Sequence, residues 1–313
     1  MQSPQVFDEK TILDLLPRLD VQAALTRMFQ SLADGSATQP PQTLSLFPNG
    51  AGDFITYLGV LSDQKMFGAK LSPYIAGDGQ SLVTAWTILM SMETGAPVLL
   101  CDSKRLTTER TAATTALAID KLARPDAKVL AIVGTGEVGL AHLRHVESLR
   151  DWTEVRLASP SARTKEGLPS RLANGSAIMT YVDADEAADG AEAILLCTSS
   201  GNPVIDVSRV RADAVVTSIS TNAANAHEID PSRLPDLDVY CDYRATTPQS
   251  AADMKLATQT GLWGADAIRG DLPELVAGRA QPPSRERPAY FRSIGLGLED
   301  IAVAAALLTA ARF

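Results

Sequence analysis

The 313-residue sequence predicts an α+β region followed, from about residue 128, by a doubly wound parallel α/β region. Three observations predict it. The β-branched apolar run Lys128-Val129-Leu130-Ala131-Ile132-Val133 enters a glycine turn, Gly134-Thr135-Gly136-Glu137-Val138-Gly139. A helical run follows, then a second strand, Glu154-Val155-Arg156-Leu157-Ala158-Ser159. Further short apolar runs recur at 178–182, 193–197, 214–218 and 239–242, separated by helical or turn segments, the rhythm of a parallel sheet with crossovers. The residues before 128 do not alternate this way.

The glycine turn carries the chemistry of the parallel region. Gly134 permits a tight turn off the strand, Gly136 lets a pyrophosphate approach the backbone, and Gly139 lets the helix pack close to the strand. The helix N-terminus then offers unpaired N–H groups and the positive end of its dipole to phosphate. Such a turn inside a strand–turn–helix–strand unit is the Rossmann-type dinucleotide fingerprint. An NAD site places Asp or Glu at the end of the second strand for the ribose 2′-hydroxyl. Here that strand ends Ser159-Pro160-Ser161-Ala162-Arg163, with hydroxyls and a cation but no carboxylate. This favours NADP(H), with NAD(H) as the alternative. Thr198 and Ser199 after one strand and Ser220 after the next are small, polar and placed for a cofactor edge.

Within the first region, Asp8 and Asp20 are helix caps, the second ahead of Val21, Ala24, Leu25, Met28 and Phe29 at helical spacing. Residues 34–41 are a cluster of breakers. Strands are expected within 44–61, at 67–71, and as a pair at 82–92 and 97–102, followed by a helix from about Glu109 to Ala123 capped by Thr107 or Thr108. Residues 262–288 read as a helix and loop, and 299–311 as an alanine-rich helix.

Composition bounds the partners. The chain is 45% hydrophobic and 21% charged, with a formal charge of −9, which argues against nucleic acid. Cys101, Cys197 and Cys241 are scattered in apolar runs, so buried free thiols are expected, and no metal-ligand spacing occurs. No signal peptide opens the sequence and its longest apolar run is too short for a membrane span. The expectation is a cytoplasmic protein without a membrane or metal requirement.

Four segments resemble the ornithine cyclodeaminase/mu-crystallin family. They are Gly68-Ala69-Lys70 with Thr94-Gly95-Ala96-Pro97-Val98-Leu99-Leu100-Cys101-Asp102; Leu106-Thr107-Thr108-Glu109-Arg110-Thr111-Ala112-Ala113; the glycine turn; and Ser293-Ile294-Gly295-Leu296-Gly297-Leu298-Glu299-Asp300. The resemblance implies a substrate and dimerisation domain from 1–122 plus 293–313, a dinucleotide domain from 123–292, a homodimer, and hydride transfer between a nicotinamide and an amino or cyclic imino acid. It implies that Lys70 and Arg110 are catalytic and contact the substrate, Arg110 through the substrate carboxylate and Lys70 either through that carboxylate or by sharing a proton with the Cα nitrogen. Thr111 is expected beside a cofactor phosphate. Arg110, placed in the first turn of its helix, is an unfavoured cation that an anionic ligand would explain.

Two positions depart from the family pattern. Gln42 stands where an arginine often helps bind the carboxylate. Asn222 stands where cyclodeaminases carry an aspartate, and an amide exchanges no proton. The departure ranks a reductase of a pyrroline-2-carboxylate-like ketimine first, ornithine cyclodeaminase second and amino-acid dehydrogenase third, with a non-catalytic nucleotide-binding protein as the rival of another class.

Overall fold

Alternating burial in the first region builds one mixed sheet. The computed structural model describes residues 3–77, 81–220 and 225–312. Its first eight strands are β1 (Gln5–Phe7), β2 (Ala37–Thr38), β3 (Thr43–Leu46), β4 (Gly52–Leu61), β5 (Met66–Ile75), β6 (Leu82–Val83), β7 (Trp86–Ser91) and β8 (Pro97–Asp102). They run in the order β1-β8-β7-β5-β4-β2, with β3 on β4 and β6 on β5; only β1 with β8 is parallel. Period-two alternation puts Tyr57, Gly59 and Leu61 of β4, Gly68 and Lys70 of β5, and Thr87 and Leu89 of β7 on the buried face. Helices α1 (Glu9–Leu15) and α2 (Val21–Ala33) start at Asp8 and Asp20, whose side chains accept from Thr11 N and Ala23 N.

Helix α3 (Lys104–Leu122) leads out of this sheet. It begins five residues earlier than the expected Glu109. Asp102 accepts from Lys104 N at 2.9 Å, and the Ser103 carbonyl already takes the Thr107 N–H, so the turn off β8 starts the helix before either threonine can cap it. Arg110 therefore lies beyond the first turn, and the dipole argument for an anionic ligand there does not hold. Thr111 likewise is inside the helix rather than at its end.

The second sheet is wholly parallel. Its strands are β9 (Val129–Val133), β10 (Glu154–Ala158), β11 (Ile178–Tyr181), β12 (Ala193–Leu196), β13 (Val215–Ser218), β14 (Asp238–Cys241), β15 (Gly270–Asp271) and β16 (Ala289–Arg292), in the order β11-β10-β9-β12-β13-β16-β14-β15. This is the doubly wound α/β arrangement, with the order reversing between β9 and β12. Helices α4 (Glu137–Val146), α5 (Ala184–Ala188), α6 (Thr247–Ser250), α7 (Ala252–Gln259) and α8 (Leu272–Val276) belong to it. Turns rather than a helix fill 160–177. Strand β16 falls just after the stretch read as helix and loop; its four residues are all buried between β13 and β14.

Helix α9 (Gly297–Ala310) closes the chain and packs on β4, β5 and α2. Residues up to Arg110 together with those from Gly295 form one compact unit, and Thr111–Ile294 forms the other. Cys101, Cys197 and Cys241 are buried free thiols. No helix among the described residues is long and apolar enough to cross a membrane.

Candidate active site

In the mixed-sheet unit, four charges are gathered at the start of α9. Lys70, only 1% exposed, projects from the middle of β5. Its Nζ lies 2.9 Å from Asp300 Oδ2, 3.4 Å from Thr107 Oγ1 and 4.2 Å above the Tyr57 ring. Tyr57 faces Lys70 directly across β4 and β5. Arg110 gives Nε to Asp300 Oδ1 at 3.1 Å and Nη1 to Glu299 Oε2 at 3.0 Å. Its counterions are thus the acids of α9. Glu299 and Asp300 occupy the first turn of α9, where the helix dipole favours negative charge. No side chain of the flanking Leu296 caps that helix; Gln39 Oε1 accepts from Leu298 N at 2.9 Å instead.

The electrostatics follow from burial. Burial pushes the Lys70 ammonium down to about 8, with Asp300 opposing the fall and Arg110 adding to it. Burial also works against the Arg110 charge, but Asp300 and Glu299 outweigh it and hold the guanidinium firmly protonated. The Tyr57 hydroxyl is pushed up to about 12, chiefly by burial, and stays neutral. Gly295 makes room for Arg110: it has φ +74°, and a Cβ there would sit 2.1 Å from Arg110 Nη1. Gln42 precedes β3; its Oε1 is shielded from solvent and lacks a hydrogen-bond partner among the described residues.

The parallel-sheet unit presents a phosphate cradle. Gly134 takes φ +112°, and a Cβ on it would meet the Cys197 carbonyl oxygen at 2.4 Å; one on Gly139 would meet the Gly134 oxygen at 1.9 Å. Nothing lies within 4 Å of the corresponding point on Gly136, so a ligand has room there. Gly136 is the N-cap of α4 with no side-chain cap bond, so backbone N–H groups of Glu137, Val138 and Gly139 head the helix. These features fit a dinucleotide pyrophosphate.

At the end of β10, Ser159 Oγ is 2.8 Å from Thr135 Oγ1 and 3.5 Å from Ser161 Oγ. Arg163 is exposed and makes no hydrogen bond or ion pair among the described residues. Lys165 donates to the Thr135 carbonyl at 2.6 Å, which brings a second cation to the same rim. Thr198, Ser199 and Ser220 lie beyond the carboxyl ends of β12 and β13. Asn222 lies outside the described residues. Among the described residues no cluster of three or more His, Cys, Asp or Glu is arranged for a metal ion.

The family model described as ornithine cyclodeaminase/mu-crystallin matches residues 6–311. The chain belongs to the ornithine cyclodeaminase/mu-crystallin family. It is 51% identical over 309 residues to the NAD(P)H-dependent anabolic L-arginine dehydrogenase DauB of Pseudomonas aeruginosa, covering 97% of this chain and 96% of that protein. It is 26% identical to the ketimine reductase mu-crystallin of Mus musculus over 93% of this chain and 90% of that one. Among solved structures it resembles the Thermococcus litoralis Δ1-pyrroline-2-carboxylate reductase in complex with NADH and L-proline, with TM-score 0.87, 23% identity and coverage of 98% and 97%. A probable ornithine cyclodeaminase from Bordetella pertussis gives 0.82 at 28% identity, covering 99% and 98%.

Lys70 and Arg110, the two cations that the family resemblance marks as catalytic, come together on Asp300, with Glu299 as a second partner of Arg110. The resemblance includes Glu299 and Asp300 but assigns them no role. A signal was present: two acids open a helix whose next residues are Ile301 to Ala305, all buried, and buried acids require partners. Tyr57 and Lys165 carried no such mark, because only strand register and loop closure place them.

Proposed function

We propose that this protein is an NAD(P)H-dependent reductase that forms an α-amino acid from its α-imino acid, with the open-chain precursor of L-arginine as substrate. The observation that carries the reading is the buried quartet of Lys70, Arg110, Glu299 and Asp300, which balances two cations with two anions. Such a site accepts a head group that is itself zwitterionic, an iminium beside a carboxylate, without adding net buried charge. A simple carboxylate would leave it one charge out of balance. The basic side chain is supported by the 51% identity to an L-arginine dehydrogenase.

Bound NAD(P)H would supply the hydride that reduces the C=N carbon. Arg110 anchors the substrate carboxylate, and its own two carboxylate partners keep the guanidinium from turning. Lys70, whose ammonium has been brought to about 8, holds the proton that turns the neutral imine nitrogen into the iminium, so that hydride alone completes the amine; Asp300 fixes the direction of the Lys70 N–H. Glu299 and Asp300 face the iminium as its counter-charge. Gln42 offers its unpartnered oxygen to a substrate N–H. Asn222 orients the substrate or the nicotinamide. In the other unit, 134–139 hold the pyrophosphate, while Ser159, Ser161, Arg163 and Lys165 favour the 2′-phosphate of NADPH. Thr111, Thr198, Ser199 and Ser220 complete the cofactor contacts.

The outer face of the mixed sheet exposes Leu58, Leu71, Trp86 and Ile88 on adjacent strands, and it supports assembly as a homodimer through that face. The test of the function is NADPH oxidation with 5-guanidino-2-oxopentanoate and ammonia, set beside pyrroline-2-carboxylate and L-ornithine. Oxidation that requires both the oxo acid and ammonia is the expected result. Rapid turnover of pyrroline-2-carboxylate with none of the oxo acid would return the assignment to cyclic ketimines, and ammonia release from ornithine without net cofactor change would make it a cyclodeaminase.

A further inference from the structure

Glu228 is fully buried and forms no ion pair among the described residues, yet both of its oxygens are saturated. Oε1 accepts from Thr198 N and Thr198 Oγ1, each at 2.7 Å. Oε2 accepts from Ser218 Oγ at 2.8 Å, Ile219 N at 3.0 Å and Ser220 N at 3.1 Å. One carboxylate thus ties the segment leaving β12 to the segment leaving β13, neighbouring strands of the parallel sheet. One further tie joins the same pair of loops, and a second holds the 218–220 loop to β16. Ser220 Oγ donates to the Ser200 carbonyl at 2.8 Å, and Arg292 Nη2 donates to the Ser220 carbonyl at 2.6 Å while Asp253 holds its Nε.

In a sheet whose order reverses between β9 and β12, the adenosine half of a dinucleotide lies over β9 and β10 and the other half over the ends of β12 and β13. The Glu228 knot therefore underlies the nicotinamide half and not the adenosine half. Five donors converge on it, and only a carboxylate can accept from all of them; an amide has a single acceptor oxygen and turns N–H against the rest. We propose that Glu228 is a positioning residue for hydride transfer, fixing the 198–200 and 218–220 backbones against which the nicotinamide is oriented.

The inference rests on the nucleotide site assigned above and not on the choice of substrate. Its test is binding of NADPH and of 2′,5′-ADP, the fragment lacking the nicotinamide, to the full-length wild type, Glu228→Gln and Glu228→Asp, followed by fluorescence and accompanied by melting curves and kcat. Glu228→Gln is expected to bind 2′,5′-ADP within about twofold of wild type, while NADPH affinity and kcat fall by roughly 10–100-fold, the cost of facing buried donors with another donor. Glu228→Asp, which keeps both acceptor oxygens, should recover part of the loss. Parallel loss of both ligands with a lowered melting temperature would reduce Glu228 to a structural residue, and unchanged NADPH affinity and kcat would overturn the proposal outright. Should Glu228→Gln not fold, Ser218→Ala removes one of the five donors and must show the same split at about threefold; parallel loss there would likewise overturn it. If the wild type reduces no imino acid while the binding split persists, the substrate assignment fails and the positioning role stands.

Discussion

Raising the pH from 7 to 9 removes the proton on which Lys70 depends. Its ammonium is fully enclosed and lowered by burial to about 8, despite the opposing pull of Asp300. About nine-tenths of the protein then carries the proton at pH 7 and about one-tenth at pH 9, so kcat/KM falls roughly tenfold across that interval. The assay is the initial rate of NADPH oxidation at limiting imino acid. Lys70→Arg must remove the inflection together with most of the activity, since a guanidinium keeps its proton throughout the range. A wild-type profile flat to pH 9.5, or a Lys70→Arg enzyme with an unchanged inflection near 8, would refute Lys70 as the donor. The same group has a signature in stability. Between about 8 and its ordinary 10.5 the unfolded chain binds more protons at this site than the folded one. Stability contributed by this group therefore rises with pH through that window and is lost as pH falls through it, opposite in sign to a lysine strengthened by its partner.

Other consequences follow from the same geometry. Gly295→Ala places a methyl on the Arg110 guanidinium at a backbone angle of +74°. It should cost roughly 1–3 kcal/mol of stability and abolish most activity, read by thermal melting and rate; an enzyme as stable and active as wild type would mean that Arg110 is not held against Gly295. The double change Arg163→Ala with Lys165→Ala should weaken NADPH roughly 10–100-fold and leave NADH within about twofold, measured by fluorescence titration; equal losses would show that no 2′-phosphate is bound there. Ile88→Glu on the exposed sheet face should convert a dimer to a monomer in sedimentation, and an unchanged dimer would place the interface elsewhere.

Local chemistry made part of the molecule legible. The glycine turn after Val133 and the caps at Asp8 and Asp20 depend on neighbours within a few residues, so their structure is written where they stand. The runs that became β12 to β14 were readable because strands buried on both faces are rich in apolar residues, whereas β11 lies at the sheet edge and is half exposed. The start of α3 was misplaced because a polar turn off β8 outcompeted the threonines, and that competition is settled by where β8 ends. Strand β16 is four residues of no distinctive period, and only the gap between β13 and β14 makes it a strand.

For the site, residue type was enough to nominate Lys70, Arg110 and the phosphate loop. It was not enough to assign their partners. Arg110 meets Asp300 across 190 positions of chain, and Glu228 gathers donors from two loops 30 and about 10 residues before it. Sequence by itself determined which groups carry charge, which turn can cradle a phosphate and which segments must be buried, because those properties belong to residues and their near neighbours. Tertiary structure alone decided that two cations and two acids neutralise one another, that the lysine is dry enough to give up its proton near 8, and that a distant glutamate ties two loops together, because desolvation and charge pairing depend on distances that the order of residues does not contain.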